Sequence, residues 1–526
     1  MPKFTVAPHG GLNLRFPQHR LTDRKTQKVR RLVNFISLDG VIKKMKGAER
    51  YDSTSRGASC TWLKRIYYED SGDKKRYLFA IIDGKMFRGT DHNQLLNQVK
   101  ISKSFDSLID PNVFPLDCTI KVADVVSTFV VDGKNFFKFN GNDGGEWEKL
   151  PTKNDIDGNA IEPIDMVEYL DRAFVLVKNR NVIIHSKNLN PEVYDDSTDC
   201  GIIDCPAGKG GFPQKLIVHR GFLFVVHEDY IAPISGSSTA TFGIRPGDII
   251  HGYGTRAPRS VLNLKTKFGF LNSYDNEYYT TTGTQDGTNE TPVSYEAPLS
   301  RLMNLVKAKD TVAHLDTELN CIRISYVPAG GSRLNEEILL SLTEGEGRDG
   351  GGKWCGQTRG FGINCYAQWN GRNDQNELTI GRSDSGLVMF MNRTQNIDGS
   401  PMFVDFVSAD YSDDETSELQ FEEFWIDGKP TGDFGIPFSY YLDSRLTTVG
   451  QQDLEMTGEQ INLGLIEIAD QETFVNGFRP RIDRSKGRMI RFQITGNLLN
   501  RDIEFNTIHV FYNKQFTKFS KTLVGR

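Results

Sequence analysis

Residues 77–88 read YLFAIIDGKMFR: an apolar strand, Asp83-Gly84, then a second short strand. Asp-Gly between two apolar runs signals a tight hairpin, because a two-residue type I′ turn needs positive φ at both central positions. The unit returns along the chain. Residues 128–139 read TFVVDGKNFFKF around Asp132-Gly133, and an earlier copy, FISLDGVIKKM at 35–45, turns on Asp39-Gly40. Weaker copies are FVLVKNRNVIIH at 174–185, FLFVVHEDYI at 222–231 and FLNSYDNEYYT at 270–280. With the turns placed at Asp39, Asp83, Asp132, Lys178, Glu228 and Asp275, the spacings are 44, 49, 46, 50 and 47 residues.

A period in the forties built only of strands is the mark of β-propeller blades, each about 40–50 residues long. A string of unrelated β-sandwich domains has no reason to keep that phase. Further on, CIRISYV at 321–327 and EILLSL at 337–342 supply another strand pair, and LTIGRSDSGLVMF at 378–390 a last hairpin. The expected fold is all-β. Its core is a propeller of about seven blades, with six to eight allowed, over residues 32–392. Setting the 35–45 hairpin beside the last one closes the ring and removes the sheet edges that invite aggregation. Residues 393–526 hold five or more strands without the blade period, among them 438–442, 461–468, 489–495 and 507–512. They read as a C-terminal β-sandwich-like extension of the propeller.

Composition narrows the classes. Fifty Gly and 33 Phe fit turns and aromatic-rich strands. A net charge of −5 argues against wholesale coating of nucleic acid. No run of about 20 apolar residues is present to span a membrane, and MPKFTVAPHGGLNL lacks the charged-then-apolar layout of a secretion signal. Seven cysteines without a dense framework fit thiols kept reduced in a cytosol.

Residues 1–31 differ from the rest. Lys3, Arg15, Arg20, Arg24, Lys25, Lys28, Arg30 and Arg31 stand against one acid, Asp23. Pro2, Pro8 and Pro17 with Gly10-Gly11 keep the segment extended up to about Thr22, with a short helix expected at 23–31. Such an arm either grips an acidic neighbour or a phosphate backbone, or lies across its own acidic domain. Its acidic counterpart is DYSDDETSELQFEE at 410–423, where Asp413, Asp414 and Glu415 are candidates to pair with a partner subunit or with the basic C-terminal tail; the bland reading is a solvated loop.

Catalytic and metal chemistry finds little footing. Gly208-Lys209-Gly210-Gly211 lacks the spacing of a phosphate loop. Cys200 and Cys205 are loosely spaced for a zinc knuckle, and Cys355 and Cys365 stand too far apart to complete one. His219, His227, Glu228 and Asp229 gather near a turn, yet nothing selects the pair of carboxylates a glycosidase needs. The reading is therefore no enzyme, no cofactor and no metal.

The opening, with Gly10-Gly11-Leu12-Asn13, Val33-Asn34 and the Asp39-Gly40 turn ahead of Lys46-Gly47, resembles the start of phage tail β-propeller proteins. These are the hub or nozzle proteins of short-tailed phages, including those described as packaged-DNA stabilisation proteins. IGRSDSGLVMFMNRTQNIDGSPMF at 380–403 is similar to their last blade, and RFQITGN at 491–497 with 508–512 to their closing strands. The resemblance implies a structural virion protein in a homo-oligomeric ring. It implies docking to other tail and head-to-tail connector proteins, transient passage of genomic DNA, assembly in the host cytoplasm and no catalytic residues. The competing class is a carbohydrate-binding or glycan-cleaving propeller acting on the host surface.

Overall fold

The computed structural model describes residues 3–6, 29–38, 40–70, 73–90, 93–104, 109–111, 113–122, 125–141, 146–288, 292–295, 297–342, 353–370, 376–412, 418–429, 434–443, 448–455, 475–478 and 486–515. Antiparallel meanders succeed one another around a ring. Six are self-contained sheets, over 60–98, 116–149, 163–204, 213–251, 262–281 and 363–391. A further four-stranded meander over 312–359 occupies the ring position between the fifth and the last of these, and its outer strand runs on into a larger sheet. The fold is a β-propeller with a curled sheet extension.

Local chemistry explains the units. At Asp83-Gly84 both residues have positive φ, +53° and +69°, and Ile82 pairs with Lys85, giving the expected two-residue turn. The Asp132 copy turns differently. Val131 pairs with Phe136, and Asp132 Oδ1 accepts the N–H groups of Lys134 at 3.0 Å and Asn135 at 2.7 Å. An aspartate that caps its own loop stabilises a four-residue turn instead of a tight one. Strands such as Arg172–Val177 are buried at every position, because neighbouring blades cover both faces. Such strands are apolar throughout where a half-exposed strand alternates. Shared cores bind successive blades: Trp62, Phe79 and Trp147 join the first two, and Phe174, Leu216 and Val225 the third and fourth.

The chain's own beginning closes the ring, but through a different segment from the one expected. Ala48–Arg50 forms the outermost strand of the last blade: Met391 pairs with Ala48, Phe390 with Glu49 and Met389 with Arg50. Asp398 accepts both Nε and Nη2 of Arg50, the latter at 2.6 Å. The hairpin at 35–45 does form, Leu38 pairing with Val41, while Asp39 itself lies outside the described residues. It belongs to the extension, and its second strand pairs with Glu504–Gln515. Buried Lys44 holds it there by donating to the carbonyls of Gln395 and Arg501; burial pushes this amine down to about 8. Its two strands find a larger apolar partner in the extension than a blade edge offers.

The extension is thus built from both ends of the chain. Strands Lys3–Val6, Val29–Val33, Phe35–Leu38 and Val41–Lys44 share a sheet with Met402–Ser408, Glu418–Lys429, Gly435–Leu442, Ile490–Leu498 and Glu504–Gln515. The sheet curls over on itself, so that Phe424 on one limb meets Phe492 at 4.9 Å and Tyr440 at 5.6 Å on the other. The strand expected at 461–468 lies outside the described residues. Asn34, at φ +56°, is the seam with the ring: its N–H donates to Gln357 O at 2.7 Å and its amide to Phe403 O at 2.6 Å.

The closure has a strict steric requirement at Gly47. A Cβ there would lie 1.9 Å from the backbone oxygen of Asn396, which accepts the Ala48 N–H at 3.0 Å. Gly47→Ala is expected to destabilise the chain by roughly 1–3 kcal/mol through overpacking against backbone. Thermal unfolding of wild type and variant checks this; an unchanged midpoint contradicts the closure geometry.

Candidate functional site

In each blade the first-to-second turn falls on one face of the propeller and the second-to-third turn on the other. The chain also enters each blade's first strand from that second face, so its connections converge around the axial mouth. Phe114 precedes Leu116–Val122, Asp310 precedes Val312–Asp316, and Asn364 opens Ile363–Asn370. Pro258 starts a one-turn 3-10 helix that ends just before Leu262–Leu264 and carries Arg259.

Arg259 bridges this mouth. Its guanidinium lies 3.5 Å from the Phe114 ring centroid and donates to Asn364 O and Asp310 O, both at 2.6 Å. Burial pushes it down to about 10. A planar cation on an aromatic face, with carbonyls at its edge, is a geometry lysine cannot reproduce. Deeper along the axis, neighbouring first strands are tied by charge. Lys64 pairs with Asp117 at 2.5 Å, where Trp62 Nε1 also donates, and Lys215 pairs with Asp165 at 2.7 Å. Burial raises the Asp165 carboxyl, and Lys215 and the Leu216 N–H oppose that rise.

Beside the mouth, between the fourth and fifth blades and the turn Leu305–Asp310, lies a groove of about 540 Å³. Gln214 Nε2 donates to Glu228 at 2.9 Å, and Arg256 pairs with Glu228 at 3.1 Å. Asn272 and Ser273 form its floor, and Ser273 Oγ is buried without a hydrogen-bond partner. Leu305 and Val306 line the exposed side. The groove offers hydrogen-bonding groups, one engaged carboxylate and two cations, Arg256 and Lys309. That set suits binding of a polar ligand and not two-carboxylate hydrolysis.

A third cluster is internal. Arg323, fully buried, pairs with Asp316 at 2.8 Å and Glu337 at 3.2 Å, and Thr358 and Tyr366 donate to Glu337. His314 stacks on Tyr366 at 5.0 Å and 5°, with Nε2 buried and unpartnered; burial pushes the imidazole down to about 4. These groups lock the 312–359 meander to the last blade, a structural role.

No family model matches the chain, and no match is found among curated proteins. Among solved structures, the chain is similar to BBS1N crystallised in complex with ARL6DN. That likeness has 11% identity over 69% of this chain and 99% of the other, with a TM-score of 0.39. It is similar also to the N-terminal domain of Nup159, at 11% identity over 69% of this chain and 97% of that one, with a TM-score of 0.36.

The residues singled out in the sequence fare unevenly. Arg15, Arg20, Arg24, Lys25, Lys28, Asp413, Asp414 and Glu415 lie outside the described residues. Arg30 and Arg31 are not helical: they sit on strand Val29–Val33, paired with Met402–Ser408. Backbone pairing in a large sheet outweighs a short charged segment's helix preference. Arg31 binds Asp405 of its own chain at 2.5 Å, and burial, with Arg491 adding, lowers Arg30 below the usual range. The structure separates His219 from the other three, which stay together, His227 Nδ1 accepting the Asp229 N–H at 3.1 Å. His219 bonds Asn263 at 3.0 Å, His227 stacks on Tyr230 at 4.4 Å, and only Glu228 reaches the groove. Cys200 and Cys205 are free and buried. Among the described residues no group of three metal-ligating side chains occurs. Arg259 was missed, since nothing local marks a residue whose partners come from three other parts of the ring.

Arg259→Leu leaves two carbonyls without their donor and is expected to cost about 1–3 kcal/mol, with Arg259→Lys recovering only part; chemical denaturation measures both. For His314, a folded pKa near 4 lies below the ordinary 6.5, so the unfolded chain binds more protons between those values. Stability is present above pH 6.5 and falls by up to about 3 kcal/mol as pH drops toward 4. His314→Phe is expected to flatten that slope in pH-dependent denaturation, and an identical slope would contradict the assignment.

Proposed function

We propose that the chain is a structural component of a phage tail, a hub or nozzle subunit repeated in a ring around the path of the genome. The observation that carries the reading is the weld between its two parts. Asn34, Val33 and Ile36 of the extension pair with Gln357 and Gly356 of the ring, so one hydrogen-bonded sheet runs through the seam. Continuous pairing leaves no hinge there, which suits a part that carries load between neighbours. The resemblance at both ends of the sequence supports the same reading.

The genome's path then lies between copies. Arg259 and Phe114 bridge the mouth of the individual propeller axis, and charged pairs span the first strands below. The subunit docks on tail and connector proteins and helps retain or release DNA, without turnover, in the virion. None of the described helices is long and apolar enough to cross a membrane.

A second reading, a glycan-binding propeller at the host surface, draws on the groove. Its lining holds Gln214, Asn272 and Asn276 but a single carboxylate, Glu228, so in that reading the groove binds and does not cleave. Light scattering and electron-microscope projections of the purified chain, alone and with neighbouring virion proteins, test the choice. A ring of several copies is expected; a chain that stays monomeric with or without those neighbours, and binds glycans, would overturn the structural reading.

A further inference from the structure

Two leucines of the third blade stand in the left-handed region of backbone space. Leu170, at φ +49°, is the first central residue of the two-residue turn between Tyr169 and Arg172. Leu189, at φ +56°, lies in the loop after strand Val182–His185. The Leu189 N–H donates to Asp171 O at 2.9 Å, which sets the two loops side by side on one face. Both side chains face water, 46% and 55% exposed. At the matching turn of the fourth blade, Arg220-Gly221, the next residue is Phe222, 60% exposed.

Single exposed leucines are ordinary. A leucine held at positive φ is not, because that backbone crowds its Cβ, a strain that Asn or Gly would relieve. Two such residues in adjacent loops, both displayed, point to apolar surface kept for a partner. The rim around them is acidic: Asp171 and Asp195 are exposed, and Glu168 is partly so. Lys187, Arg172 and Lys138 are engaged with Asp196, Asp199 and Glu192, while Arg220 at the fourth-blade turn is exposed.

We infer that this face receives the basic segment 7–28 of a second copy of the chain, an inference that rests on the multi-copy reading above. That segment sets Leu12, Leu14, Phe16 and Leu21 among Arg15 and Arg20 and runs on into Arg24, Lys25 and Lys28, the complement of an apolar patch with an acidic rim. It leaves the extension at Val6 and returns at Val29. Its 22 residues, 7 through 28, span about 70 Å extended, so an excursion out and back reaches about 35 Å. The extension is welded to the 312–359 meander, three positions around the ring from the third blade. Three ring positions separate the segment's anchors from the patch, which favours a neighbour's segment over the chain's own.

The test uses the full chain carrying Leu170→Asn and Leu189→Asn together, and a labelled synthetic peptide of residues 7–28. Asn accepts positive φ, so the melting temperature is expected to hold or rise. Peptide affinity is expected to fall at least tenfold, and association measured by light scattering to shift to higher concentration. Excess peptide is expected to dissociate the wild-type assembly. A lowered melting temperature with unchanged association, or peptide binding equally to both proteins or to neither, overturns the inference. A ring indifferent to peptide and to the substitutions rejects this contact alone; a wild-type chain that stays monomeric, with or without its neighbours, rejects the ring reading as well.

Discussion

Three residues near the start of the chain, Ala48–Arg50, complete a blade whose other strands end at Met391. The rest of the structure depends on that pairing. An open stack of meanders leaves two sheet edges and two half-covered apolar faces at its ends. Pairing the first and last segments covers both with chain already at hand. Closing so long a loop adds little entropy beyond closing a shorter one, because the cost grows only logarithmically with length. The return is a shared core in which Leu63, Leu78 and Ala80 of the first blade meet Cys365, Val388 and Phe390 of the last.

The closure also dictates where the two chain ends go. Residues before Ala48 emerge beside those after Met391, so both run into the same extension and interleave there, Val29–Val33 lying against Met402–Ser408. The 312–359 meander then shares its outer strand with that extension, and the buried Arg323 cluster fastens the meander to the last blade. A body assembled in this way transmits displacement from ring to extension through backbone hydrogen bonds and packed side chains. The proposed role in a tail assembly draws on that continuity, and the displayed leucines of the third blade lie about as far from the weld as the ring allows.

What the sequence disclosed follows from how local each determinant is. Asp83-Gly84 announced its turn because the requirement for positive φ is carried by those two residues alone. The doubly covered strands, such as AFVLV at 173–177, announced themselves because burial on both faces leaves no polar alternation. The hairpin at 35–45 was legible as a hairpin but not in its address, since nothing within it distinguishes a blade edge from an extension. Ala48–Arg50 is short, with Glu49 and Arg50 exposed, and carries no strand pattern at all. Arg259 and the Ser273 floor of the groove depend on segments brought together only by the ring. The positive φ of Leu170 is likewise set by the turn's geometry, against the preference of the residue that occupies it.

Native-state hydrogen exchange at the closing strand bears most directly on the account. The Ala48 and Tyr51 amides, which donate to Asn396 O and Val388 O, are expected to exchange as slowly as those of Val388–Met391 and to open together with them in one cooperative unit. Exchange of 48–51 at the rate of an exposed loop, with 388–391 still protected, would contradict a ring sealed by the beginning of its own chain.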